Sequence, residues 1–216
     1  MTSAESQDTT PHGQYIPDPL SHFKSIPWCA ALLSSKGIIH FAVPDRRSKL
    51  DGEGTLVKET LNSSTTVRAC VTYFKLPKRS KGELKLGESK KSPFVEISTL
   101  LDLGAGVNSF ARTCHGGFIA TIFDEVMGTA AWQQAGDNGA YTVDMNLRFK
   151  KALFTPAVVR CVGKVVRKEG RRIIVEAELV GEDEIVYAQA DSVFLEMKRN
   201  IGKSEEKKYG LAGPKL

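Results

Sequence analysis

From Ala140 to Lys150 the odd positions Tyr141, Val143, Met145, Leu147 and Phe149 are apolar, while the even ones are mostly polar. This period of two predicts a strand with one face packed and one face wet. Three similar segments follow. Ala157–Val166 alternates less cleanly, and Lys168-Glu169-Gly170 then turns the chain into Ile173–Val180. There Ile173, Val175, Ala177 and Leu179 share a face, and Gly181–Glu184 turns again into Ile185–Met197. Strands joined by short turns are antiparallel, because a parallel pair needs a long crossover. Upstream, Val67–Phe74 and Phe94–Leu103 read as two more strands joined across a charged connection, with Gly104–Thr113 as a loop. Between these groups, Gly116 to about Gln134 carries Ile119, Ile122, Phe123, Val126, Met127 and Ala130 at helical spacing. One apolar helix among antiparallel strands predicts an α+β fold with the helix held inside the curve of the sheet.

Residues 1–19 are polar and proline-bearing and read as a disordered tail; 20–65 form an N-terminal extension. Within it, Leu20–Ser34 has helical spacing interrupted by Pro27, which predicts a short helix or two half-helices. Gly37–Leu56 reads as irregular. The main domain spans 66–198, with a charged loop at 78–91, and 199–216 is a basic tail.

The 216 residues are 41% hydrophobic, enough for a core without metals or disulfides. No apolar run approaches the ~18 residues that span a bilayer. The first twenty residues hold three acids and neither lysine nor arginine, which argues against a leader peptide. The net charge of +5 is concentrated in Lys78–Lys91 and in the stretch from Lys198 onward. Apart from Tyr209 neither segment carries an aromatic residue among its charges, so nucleic acid is not an expected partner. Cys29, Cys70, Cys114 and Cys161 are far apart and form no metal-ligand spacing, so buried free thiols are expected and no metal.

The stretch Cys114-His115-Gly116-Gly117 opens the helix. A helix start leaves N–H groups without intrahelical partners, and two glycines there let another molecule's oxygen approach them. Such a place can stabilise an oxyanion, or can serve only for close packing. Asp124 lies too deep in the helix to be a cap. At 100° per residue it sits at the edge of the apolar arc beside Ala120, Met127, Gly128 and Ala131, where another group can approach. Glu125 points towards the polar side and reads as solvated.

Together, His-Gly-Gly, an Asp nine positions after the His, and Thr142-Val143-Asp144-Met145-Asn146 opening the next strand resemble the hotdog-fold acyl-CoA thioesterases. The nearer likeness is to the branch with the phenylacetate-pathway and 4-hydroxybenzoyl-CoA enzymes and mammalian superfamily members. The resemblance implies a hotdog fold over about Val67–Met197. It implies Asp124 as general base or nucleophile, the Gly116 N–H as oxyanion donor, His115 as organiser of the loop, and Thr142 as a holder of the water. Gly117 would line the substrate site. Several relatives carry an Asn six residues before the motif His; here Ser109 stands at six and Asn108 at seven, and Asn108 is the candidate. Lys150 and Lys151, with Arg148 on the same strand, are candidates for the CoA phosphates.

The expected activity is therefore hydrolysis of acyl-CoA to a carboxylic acid and CoA, with CoA as part of the substrate and no separate cofactor. The expected assembly is a homodimer or homotetramer, because in the family the carboxylate and the glycine N–H of one site come from different subunits. A non-catalytic acyl-CoA-binding or interaction module is the alternative. A hotdog dehydratase would want a catalytic His paired differently, and His115 is the only histidine of the domain. No GxSxG, HExxH or P-loop motif is present. A cytoplasmic location is expected, with a peroxisomal alternative from the ending Pro214-Lys215-Leu216.

Overall fold

The computed structural model describes residues 12–76, 84–89, 93–136 and 138–198. The first eleven residues, most of the 78–91 loop, and the basic tail with Pro214-Lys215-Leu216 lie outside the described residues. The elements run α1 (Pro19–Lys24), α2 (Pro27–Leu33), β1 (Ile38–Ala42), β2 (Val67–Lys75), β3 (Glu96–Leu103), β4 (Asn108–Phe110), β5 (Thr113–Cys114), α3 (Gly116–Trp132), β6 (Ala140–Phe149), β7 (Ala157–Glu169), β8 (Arg172–Val180) and β9 (Val186–Glu196).

Seven strands form one antiparallel sheet in the order β1-β2-β3-β7-β8-β9-β6, with β4 and β5 as a separate pair. The sheet packs its apolar side on α3, a hotdog-like α+β arrangement. Phe123 and Met127 are fully buried there against β3, β7, β8 and β9. Burying an aromatic side chain of this kind stabilises the fold by roughly 2–3 kcal/mol. β7 and β8 meet at a tight turn in which Gly170 takes φ +56°, a conformation that costs glycine little.

Pro27 does split the first helical segment: it begins α2 where α1 has ended, and each helix carries a proline in its first turn. The two helices cover the other face of the sheet, where Phe23, Cys29 and Leu33 pack on Ala69, Val71, Tyr73 and Leu100. All four cysteines are buried and free.

Three features differ from the sequence reading. Gly37–Leu56 is not wholly irregular: Ile38–Ala42 is an edge strand on β2. Gln14, which falls in the 1–19 segment, is buried; its side-chain amide exchanges two hydrogen bonds with the backbone of Cys70, at 2.8 and 3.0 Å. That pairing continues the edge of β2 beyond the reach of β1. Last, β6 does not pair with β7, whose two edges are occupied by β3 and β8; it crosses to the far edge and pairs with β9.

The alternation expected along β6 is also broken. The register shifts between Thr142 and Asp144, so Val143 is an inserted bulge residue. One extra residue exchanges the faces of everything beyond it. Met145 and Leu147 pack on the core, as alternation requires, but Val143 is exposed and Thr142 lies opposite buried Phe194. Thr142 thereby moves to the helix side of the sheet.

Candidate functional site

The chain enters α3 through an extended His115 (φ −68°, ψ 130°), which is the N-cap. His115 Nδ1 accepts the Gly117 N–H at 2.8 Å, so the proton of a neutral ring sits on Nε2. The His115 N–H donates to Val107 O at 2.8 Å, and its carbonyl accepts the Ile119 N–H at 3.1 Å. His115 is thus tied to the loop on three sides. Gly117, expected to face substrate, has given its N–H to the cap. Among the described residues nothing accepts from the Gly116 N–H, and the helix dipole adds partial positive charge there.

Gly116 lines a groove of about 320 Å³ with Cys114, Ile119, Phe149, Lys150 and Lys151. A Cβ on Gly116 would lie 3.3 Å from Phe149 Cζ, so glycine leaves the N–H uncovered beneath the ring. The Lys150 and Lys151 backbones both donate to Tyr187 O, at 2.8 and 3.1 Å. Their side chains are exposed, and no carboxylate among the described residues pairs with either.

Two turns along α3, half-buried Asp124 accepts a hydrogen bond from Thr142 Oγ1 at 2.6 Å on Oδ1. The β6 bulge makes this contact possible, because an unbulged strand would turn Thr142 outward. Asp124 and Thr142 line a second groove of about 540 Å³ with Gly128, Trp132 and Phe194. Glu53 of the N-terminal extension is on its wall. At 1.5 Å per residue, Gly116 and Asp124 are ~12 Å apart along the helix. One chain therefore presents the bare N–H and the carboxylate in separate grooves.

Two candidates lie apart from both. Arg148 pairs with Asp191 of β9 and lines an outer-face groove with Arg160, Glu176 and Glu178. Asn108 sits in β4 beside the His115 loop, where its side-chain oxygen accepts from Thr155 Oγ1. Among the described residues no group of three His, Cys, Asp or Glu side chains could hold a metal, and no helix is long and apolar enough to cross a membrane.

The sequence reading missed what surrounds Asp124. Glu125 keeps solvent exposure but lines a cavity with Arg46. Crowding by protein raises its pKa, the Asp124 charge raises it further, and Arg46 opposes both. Arg46 is buried, and its guanidinium donates to the carbonyls of Val57 (2.6 and 3.0 Å), Val67 (3.1 Å) and Leu61. Nothing in the composition of 44–61 marks that clamp.

Residues 111–188 match the thioesterase superfamily model. The verlamelin biosynthesis protein B of Lecanicillium sp is 34% identical over 92 residues, 40% of this chain and 37% of that protein. Acyl-coenzyme A thioesterase THEM4 of Mus musculus is 32% identical over 84 residues, 38% of this chain and 35% of that protein. These matches span little more than a third of the relatives' own length. Among solved structures, the BH2602 protein of Bacillus halodurans with CoA is 27% identical, covering 45% of this chain and 65% of that one, with a TM-score of 0.43. The thioesterase superfamily match thus lies over the α3 helix and the strands that follow it, within a hotdog-like α+β arrangement.

Proposed function

We propose that this chain hydrolyses acyl-CoA thioesters. The observation that carries the reading is the Asp124 carboxylate, half-buried in a groove and held through one oxygen by Thr142 at 2.6 Å. Asp124 Oδ2 has no partner among the described residues and is available to a water or to a carbonyl carbon. As a base, Asp124 takes a proton from water as the water oxygen bonds to the thioester carbon. The carbonyl oxygen becomes negative and is met by the Gly116 N–H. The C–S bond then breaks, and the CoA sulfur leaves with a proton returned from Asp124. In the nucleophilic variant Asp124 itself attacks, expels the thiolate and forms an anhydride that water hydrolyses. Thr142 orients the carboxylate in both.

The ~12 Å between Gly116 and Asp124 supports a site shared by two copies, each supplying one of the two groups. Lys150 and Lys151 beside Gly116 suit the phosphates of CoA, and His115 shapes the loop without moving a proton. The engagement of Asn108 by Thr155 favours one second reading, a binding module that holds acyl-CoA without turning it over.

Thiol release from short, long and aromatic acyl-CoAs, with wild type beside Asp124→Asn, separates the two. Turnover in wild type and a fall of about 10³ or more in kcat in the folded variant is the expected result. Binding without turnover supports the second reading. Turnover that survives the substitution removes Asp124 from the mechanism.

A further inference from the structure

Between α3, the β2–β3 strands and the 44–61 segment lies a cavity of about 240 Å³. Its wall is apolar: Val67, Leu101, Phe118, Ile122 and Val126 come from the domain, and Val57 and Leu61 from the extension. Glu125 and Lys58 also line it, while most of its other polar side chains are already engaged. Thr72 and Thr99 bond each other at 2.9 Å, and the Arg46 guanidinium is spent on backbone carbonyls. A predominantly apolar wall of this kind favours an apolar ligand over water.

The cavity meets the Asp124 groove, because Glu125 and Thr129 line both. A thioester whose carbonyl lies at Asp124 can therefore extend its acyl end past Glu125 into the cavity. The volume exceeds the ~150 Å³ of an apolar site that holds benzene, but by less than twofold. It admits an aromatic ring or a medium-length alkyl chain and has no room for a palmitoyl chain.

We infer that this cavity is the acyl-selecting pocket, with the 44–61 segment, clamped by Arg46, as its roof, and that the preferred substrates are medium-chain or aromatic acyl thioesters. The inference rests on the thioesterase reading of Asp124. It assigns specificity to residues outside the 111–188 stretch that matches the family.

Two roof variants test it: Val57→Trp fills the space, and Leu61→Ala enlarges it, with melting curves to verify that each is folded. In wild type, kcat/KM is expected to peak for octanoyl- or phenylacetyl-CoA and fall towards palmitoyl-CoA. Val57→Trp should lose about tenfold or more on octanoyl-CoA while acetyl-CoA changes little, and Leu61→Ala should move the optimum to longer chains. The same profile in all three folded proteins overturns the pocket and leaves the Asp124 reading standing. If wild type releases no thiol, hydrolysis fails as a reading, and calorimetric binding of octanoyl-CoA decides the pocket. Affinity about tenfold weaker in Val57→Trp upholds it, and unchanged or absent binding overturns it.

Discussion

At the scale of single residues, the site depends on two uncommon placements. Asp124 sits among small helical neighbours, and Thr142 reaches it only because Val143 is an extra residue in β6. The first was legible in the sequence, since the angle of Asp124 on the helix follows from counting. The second was not, because the odd-position pattern of β6 fits an unbulged strand equally well. The bulge is settled by the partner: Ser192 Oγ of β9 donates to Asp144 O at 2.6 Å. Gly116→Pro tests the proposal that the Gly116 N–H is the oxyanion donor. Proline at the first helical position is tolerated, the extended His115 already satisfies the restriction on a residue before proline, and besides the lost N–H the substitution brings only a tight Cβ contact with the exposed Phe149 ring, which can shift. We expect kcat to fall about 10²–10³-fold with melting nearly unchanged. A parallel loss of melting temperature and activity would point to a merely structural glycine. Lys150→Ala should raise KM for acyl-CoA several-fold and leave kcat close to wild type; equal KM values would remove Lys150 from the phosphate site.

At the scale of elements, α3 and the strands β2, β3, β7, β8 and β9 follow from periodicity, and the α1–α2 break follows from Pro27. The extension was less legible. β1 is five residues at the sheet edge with no alternation, and Arg46 gains its role only when Val57, Leu61 and Val67 are brought around it by the fold. Arg46→Met leaves several carbonyls without their donor, and we expect a loss of about 2–4 kcal/mol, measured by denaturant unfolding, with faster amide exchange in 44–61. No loss would mean that the roof is held by packing alone.

The turn that follows α3 is tied to the sheet by Glu196, which accepts from Lys168 Nζ at 2.9 Å and from the Gly136 N–H at 3.1 Å. The Lys168 contact is the larger cause of its lowered pKa. A carboxylate lowered on folding contributes stability above its unfolded value near 4.5, and that contribution fades as pH falls through the lowered value. Glu196→Gln should therefore destabilise by roughly 0.5–1 kcal/mol at pH 7, and thermal melts should converge with wild type at acid pH. A gap that persists at acid pH would assign the effect to packing.

At the scale of the whole molecule, one chain leaves the Gly116 N–H and the Asp124 carboxylate in separate grooves, and an exposed aromatic side chain stands at each. Trp132 lines the Asp124 groove, and Phe149 lines the Gly116 groove. A two-copy assembly would bring the Gly116 groove of one chain to the Asp124 groove of the other. The most direct test is to mix the two inactive variants, Asp124→Asn and Gly116→Pro, after separating and reassociating the subunits. If the site is shared, a mixed dimer holds one site with both lesions and one with neither, so random mixing should restore about a quarter of wild-type thioesterase activity. Mixed dimers that form and remain inactive would contradict the shared site.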